Sequence, residues 1–100
     1  MRSTFDFISD PGHGWVKVPL SMLRELGIDE QISPFSYMRG ANAYLEEDCD
    51  AGLFMRAYKQ KFGVTPKFRE RVCRTRQSKI RSYYAYQPIY YTNGSEADAN

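Results

Sequence analysis

The chain is 100 residues long, carries a formal net charge of +2 and is 42% hydrophobic. That length sets one domain as the expectation, and the apolar fraction excludes a chain that is disordered throughout. No apolar run reaches the length of about 18 residues that a membrane-spanning helix needs.

In chain order, Thr4 to Ile8 alternates crudely and predicts a short strand. Asp10-Pro11-Gly12-His13-Gly14 is dense in breakers and predicts a turn. Trp15-Val16-Lys17-Val18 alternates and is rich in β-formers, so a second strand is expected, ended by Pro19. Leu20, Leu23 and Leu26 repeat every three residues and predict a short helix. Gly27 suits the left-handed position just past its end, and Ile28 the apolar contact beyond. Phe35 to Met38 and Ala43 to Glu46 read as the arms of a hairpin turning at Arg39-Gly40. Asp48 or Asp50 offers a side-chain cap for the clearest helix. That helix runs to about Phe62 and gathers Leu53, Phe54, Ala57, Tyr58 and Phe62 on one face. Gly63 again suits a left-handed stop.

From Thr65 two readings compete. Thr65-Pro66 can open a helix, whereas alternation through Phe68 to Cys73 fits an exposed edge strand whose arginines resist edge-to-edge pairing. The strand is favoured. Ser82 to Tyr91, aromatic and interrupted by Pro88, predicts an extended segment packed on the core, and Thr92 to Asn100 predicts a disordered polar tail. The expectation is an α+β fold over residues 1–91: a small, mostly antiparallel sheet of about three to five strands with one short and one longer helix, followed by the tail 92–100. Trp15, Val16, Val18, Leu23, Leu26, Ile28, Tyr44 and Leu45 complete the candidate core, with alternation turning some of them outward. At this length one modest core is expected.

Charge is unevenly spread. Lys67, Arg69, Arg71, Arg74, Arg76, Lys79 and Arg81 fall within 15 residues that hold a single acid, Glu70. Arginine forks to phosphate better than lysine does, and Tyr83, Tyr84 and Tyr86 follow at once with rings that can stack on bases. Two readings stand side by side: contact with nucleic acid or an acidic protein surface, or a solvated face that offsets the acids elsewhere. The candidate binding residues are Arg69, Arg71, Arg74, Arg76, Lys79, Arg81, Tyr83 and Tyr84. The acidic cluster Glu46-Glu47-Asp48-Cys49-Asp50 lacks the spacing of a calcium loop, and consecutive strand residues diverge. Its simpler reading is acid placed at a helix start, where the helix dipole favours it.

His13 is the only histidine and sits in the glycine-rich turn, accessible or packed on Trp15. With Cys49 or Cys73 it would make a base–nucleophile pair, but neither cysteine carries a catalytic signature. Gly12-x-Gly14 is not followed by a helix and lacks the phosphate-loop pattern. No enzymatic activity, cofactor or metal is expected. The two cysteines lie outside any CxxC and are expected to be free, buried thiols of a reducing compartment. Asp6 stands where a secretory leader would be apolar, so a cytoplasmic protein with no membrane partner is expected.

Asp10-Pro11-Gly12-His13-Gly14-Trp15-Val16-Lys17-Val18, Leu26-Gly27-Ile28, Ile32-Ser33-Pro34-Phe35-Ser36-Tyr37 and the stretch from Tyr44 to Phe54 together resemble a group of small uncharacterised proteins of bacteriophages, prophages and bacterial mobile elements. The likeness covers residues 5 to 62, and Tyr44-Leu45-Glu46-Glu47-Asp48-Cys49-Asp50-Ala51 is its most specific string. The resemblance implies a short protein of the bacterial host cytoplasm. It implies that such a protein binds one host protein, ribonucleoprotein or nucleic acid without catalysis, inhibition of a defence system being one such role. Val16-Lys17-Val18-Pro19, Leu23 and Leu26-Gly27-Ile28 are also similar to the strand–helix grammar of swapped-hairpin transcription regulators, although Asp29-Glu30-Gln31 stands where those carry Gly-Asp. The alternative function is thus a nucleic-acid-binding regulator that uses segment 67–86.

Overall fold

A computed structural model describes residues 2–74 and 78–88. Candidate residue Arg76, the end of the aromatic segment and the expected tail 92–100 lie outside the described residues. The elements are β1 (Thr4–Ser9), β2 (Gly14–Pro19), α1 (Leu20–Glu25), β3 (Tyr37–Arg39), β4 (Asn42–Glu46), α2 (Asp50–Phe62), β5 (Lys67–Val72) and β6 (Tyr84–Ala85), with a 3₁₀ turn over Lys79–Ser82. All strands join one sheet in the order β5-β1-β2-β4-β3-β6. Every pairing is antiparallel except β1 with β5. The α+β architecture is as the sequence predicts, with six strands where at most five were expected. The sixth is a two-residue piece of the segment read as extended. The contested stretch after Thr65 is a strand, and it forms the outer edge.

Local chemistry explains the connections. Asp10 closes the β1–β2 hairpin: its Oδ1 accepts the backbone N–H groups of Gly12 and His13, each at 3.0 Å, an Asx turn. Helix α1 ends on Gly27 at φ 72°. The Gly27 N–H donates to the Arg24 carbonyl and the Ile28 N–H to the Leu23 carbonyl, both at 3.0 Å, the pair of bonds that stops a helix at a left-handed glycine. Neither Asp48 nor Asp50 caps α2. Cys49 holds the capping position and makes no side-chain bond, and Asp50 is the first helical residue. The Asp50 carboxylate is buried, so it must be satisfied. It turns away from its own helix to accept the Ser33 N–H at 3.1 Å, the Ser33 hydroxyl at 2.7 Å and the hydroxyl of buried Ser36. Three donors from one loop outcompete the helix's own N–H groups, and the loop before β3 is thereby tied to α2.

Strand parity sorts the side chains between two faces. On one face Phe5, Val16, Val18, Ala43 and Leu45 pack beneath Phe54 and Tyr58 of α2, Leu23 of α1 and Tyr86. Phe5 meets Phe54 and Tyr58 edge-to-face, with ring centroids 5.0 and 5.8 Å apart. On the other face, Trp15 and Tyr44 have the outward parity yet are 2% and 7% exposed, because residues 78–83 fold over them and insert Ile80. The expectation of one core is therefore corrected: a second, smaller cluster lies on the opposite side of the sheet. No helix among the described residues is long and apolar enough to cross a membrane.

Candidate functional site

Segment 78–83 covers only part of the second face, and the rest is open. Register places Thr4, Asp6 and Ile8 of β1 on this face with Lys67, Arg69 and Arg71 of β5. Trp15 and Lys17 of β2 share it with Tyr44 and Glu46 of β4. Tyr37 and Arg39 of β3 complete it.

Two clefts on this face adjoin. The first, of about 710 Å³, is lined by Asp6, Ile8, Lys17, Tyr44, Arg71, Cys73, Ser78, Lys79, Ile80 and Tyr83. The second, of about 440 Å³, is lined by Arg2, Thr4, Asp6, Lys17, Asn42 and Arg69. They adjoin at Asp6 and Lys17, which line both, and together they make up the groove. Five cations line it, Arg2, Lys17, Arg69, Arg71 and Lys79, against one acid among the described residues, Asp6.

That acid is already shared. Asp6 Oδ1 accepts Arg69 at 2.9 Å and Oδ2 accepts Arg71 at 3.3 Å. Burial alone would raise the Asp6 pKa; the Arg69 hydrogen bond and the charges of Arg69 and Arg71 outweigh it and hold the carboxyl below its ordinary range. One carboxylate between two guanidinium groups leaves a net positive charge at the groove's centre. Tyr44 and Tyr83 line the larger cleft, ring centroids 5.0 Å apart, and the Arg39 guanidinium lies 5.1 Å from the Tyr83 ring centroid. Burial, then the neighbouring Tyr83, pushes the Tyr44 phenol up despite Arg39, so Tyr44 stays a neutral donor.

The candidates read from sequence separate in space. Arg69, Arg71 and Lys79 line the groove and Tyr83 walls it. Arg74 is exposed just past β5. Arg81 stands outside the groove, with its side chain 26% exposed. Its Nε and Nη2 donate to Asp10 at 2.7 and 2.9 Å, and its guanidinium lies 5.6 Å from the Trp15 ring centroid. The Arg81 hydrogen bond, joined by the N–H groups of Ser78, Gly12 and His13 against the effect of burial, holds the Asp10 carboxyl far below the usual range. Tyr84 also lies away from the groove. It is 80% exposed but in register with Met38, so it belongs to the face opposite the groove. Adjacent tyrosines on an extended chain cannot both serve one surface. Sequence reasoning did not select Arg2, Lys17, Arg39 and Tyr44 as binding residues. For Lys17 and Tyr44 the signal was there, since strict alternation in β2 and β4 sets them on the face opposite the Val and Leu positions.

His13, Glu46 and Cys49 line another cleft, of about 440 Å³, with Trp15, Phe35, Tyr37 and Arg81. His13 Nδ1 is 3.5 Å from Glu46 Oε2, and its ring lies 6.1 Å from that of Trp15. Glu46 Oε1 accepts the Asp48 N–H at 2.8 Å, and Asp50 is turned inward, so the acidic run diverges. No group of three or more His, Cys, Asp and Glu residues among those described could hold a metal ion. Both cysteines are free; Cys49 is exposed rather than buried, because it sits on the turn that enters α2, and Cys73 is half-buried beside the groove. No protein-family model, no curated protein and no solved structure matches this chain.

Proposed function

We propose that this protein is a non-catalytic binding module that holds a nucleic acid against the open face of its sheet. The observation that supports this reading is the pair of adjoining clefts lined by five cations and one shared acid. Three strands or their flanks and the 78–83 segment gather these cations on one face, where their mutual repulsion is relieved by an anion. Arginine at positions 69 and 71 keeps donors free while contacting Asp6, since one guanidinium carries five N–H groups. In the bacterial cytoplasm that the phage resemblance implies, capture of a nucleic acid or ribonucleoprotein is one route to blocking a host defence system.

Salt titration tests the reading. Neutralising about three to five phosphates of a single strand gives a log–log slope of about −2 to −3.5 for affinity against salt. The double variant Lys17→Gln/Lys79→Gln leaves both Asp6 ion pairs intact and should reduce the slope by about 1.4. Affinity that ignores salt, or a variant that binds like the wild type, removes the groove from consideration. Capture of one acidic protein that survives nuclease, and is lost in the same variant, would replace nucleic acid with a host protein as the partner on this face.

A further inference from the structure

The groove is chemically lopsided. Its polar end is lined by Arg2, Thr4, Asp6, Lys17, Asn42 and Arg69, without one apolar side chain. Its other, more apolar end is lined by Ile8, Tyr44, Ile80 and Tyr83 together with Lys17, Arg71 and Lys79; Tyr44 and Ile80 are buried, so Ile8 and Tyr83 supply the accessible apolar surface. A sugar–phosphate backbone matches the first environment and is poorly served by the second. At about 710 Å³, the apolar end falls in the range of about 300–1,000 Å³ typical of small-molecule sites, so it has room for a ring system with its attached sugar. Flat rings suit such a surface, because each base has a π-face that stacks on tyrosine or on an arginine plane.

Resting on the nucleic-acid reading above, we infer that the apolar end receives an unpaired nucleobase while the polar end carries the adjoining phosphates, so that the protein selects single-stranded over double-stranded nucleic acid. A duplex keeps its bases stacked and offers this face only phosphates. It can therefore occupy the polar end but makes no use of the part-exposed Ile8 and Tyr83. A single strand can lay one base against Tyr83 and Ile8 with its phosphates on Lys17, Arg69 and Arg71. Ser78 and the Tyr44 hydroxyl are the polar groups beside that base; neither distinguishes one base from another, so weak sequence preference accompanies strong strand preference.

The test compares three probes of equal length by fluorescence anisotropy with the full chain: oligothymidine, the same strand with abasic sites, and a duplex. Oligothymidine should bind at least about tenfold tighter than either of the others, the size of one base–aromatic stack. Tyr83→Leu, which keeps an apolar wall without a ring, should bring oligothymidine to within about threefold of the abasic strand. A thermal melt confirms that the variant is folded; if it is not, the three wild-type affinities decide alone. Equal, salt-sensitive binding of all three probes would overturn the inference while leaving the polyanion groove in place. Binding of none of them would overturn both.

Discussion

Asp10 collects five hydrogen bonds, from Gly12, His13, Ser78 and twice from Arg81. It is the latch that holds segment 78–83 over Trp15. Its carboxyl is drawn below its ordinary value of 3.8 in the folded chain, which fixes the sign of its pH effect. The unfolded chain takes up a proton near that ordinary value and the folded chain only at much lower pH. The contribution to stability is therefore fully present above about pH 4 and is lost as pH falls further. Asp10→Asn should lower the urea midpoint at pH 7, and its midpoint should fall less than that of the wild type between pH 4 and pH 2. It should also red-shift the emission of Trp15, the single tryptophan, as the cover loosens. An unchanged emission and a parallel acid limb would show that the latch is not the cover's main restraint. Arg81 was grouped with the binding arginines because nothing local separates it from Arg69. Its partner lies 71 positions away, and only tertiary structure shows which arginine in a basic run is already committed.

At the scale of elements, the stops of α1 and α2 were legible because a left-handed glycine followed by an apolar residue is a local device. Gly27 and Gly63 both have positive φ. The start of α2 was not legible, since the Ser33 and Ser36 donors that divert Asp50 lie 17 and 14 positions away. Strand β5 was legible as an edge strand but not as a partner of β1. Its pairing has a signature in exchange experiments. Lys67 donates to Ser3 at 2.8 Å and Cys73 to Ser9 at 2.7 Å, so with a period of two the amides of Arg69 and Arg71 also face β1. Those of Phe68, Glu70 and Val72 face outward. Amide exchange at Arg69 and Arg71 should be at least about tenfold slower than at Phe68, Glu70 and Val72. Uniform protection along β5 would mean that a further strand covers the edge.

At the scale of the whole molecule, the groove exists only through the order of the sheet. Arg2, Lys17, Arg69, Arg71 and Lys79 come from three strands or their flanks and from the 78–83 segment. In sequence only the last three belong to an obvious run; the sheet makes neighbours of the rest by setting β1 between β5 and β2. The face carries like charge without ligand and loses that penalty with one, so binding and stability are linked. An oligothymidine at one hundred times its dissociation constant should stabilise the chain by about 2.7 kcal/mol, read as a rise in thermal midpoint. Lys17→Gln/Lys79→Gln should melt no lower than wild type alone and gain less from the same oligonucleotide concentration. A midpoint that does not move at saturating oligonucleotide would contradict binding to the folded face.

The parallel pairing of β1 with β5 also has a consequence for biosynthesis. Strand β2 follows β1 at once and covers one side of it, but Arg69 is made 63 residues after Asp6. At roughly 5–20 residues per second, the other side of β1 waits several seconds for its neighbour on the ribosome. During that interval Thr4-Phe5-Asp6-Phe7-Ile8-Ser9 is an uncovered, aromatic β-segment of the kind that recruits other nascent chains. Asp6 is the one charge in it. In the growing polypeptide it acts as a gatekeeper against intermolecular pairing, and once β5 docks the same carboxylate becomes the anchor for Arg69 and Arg71.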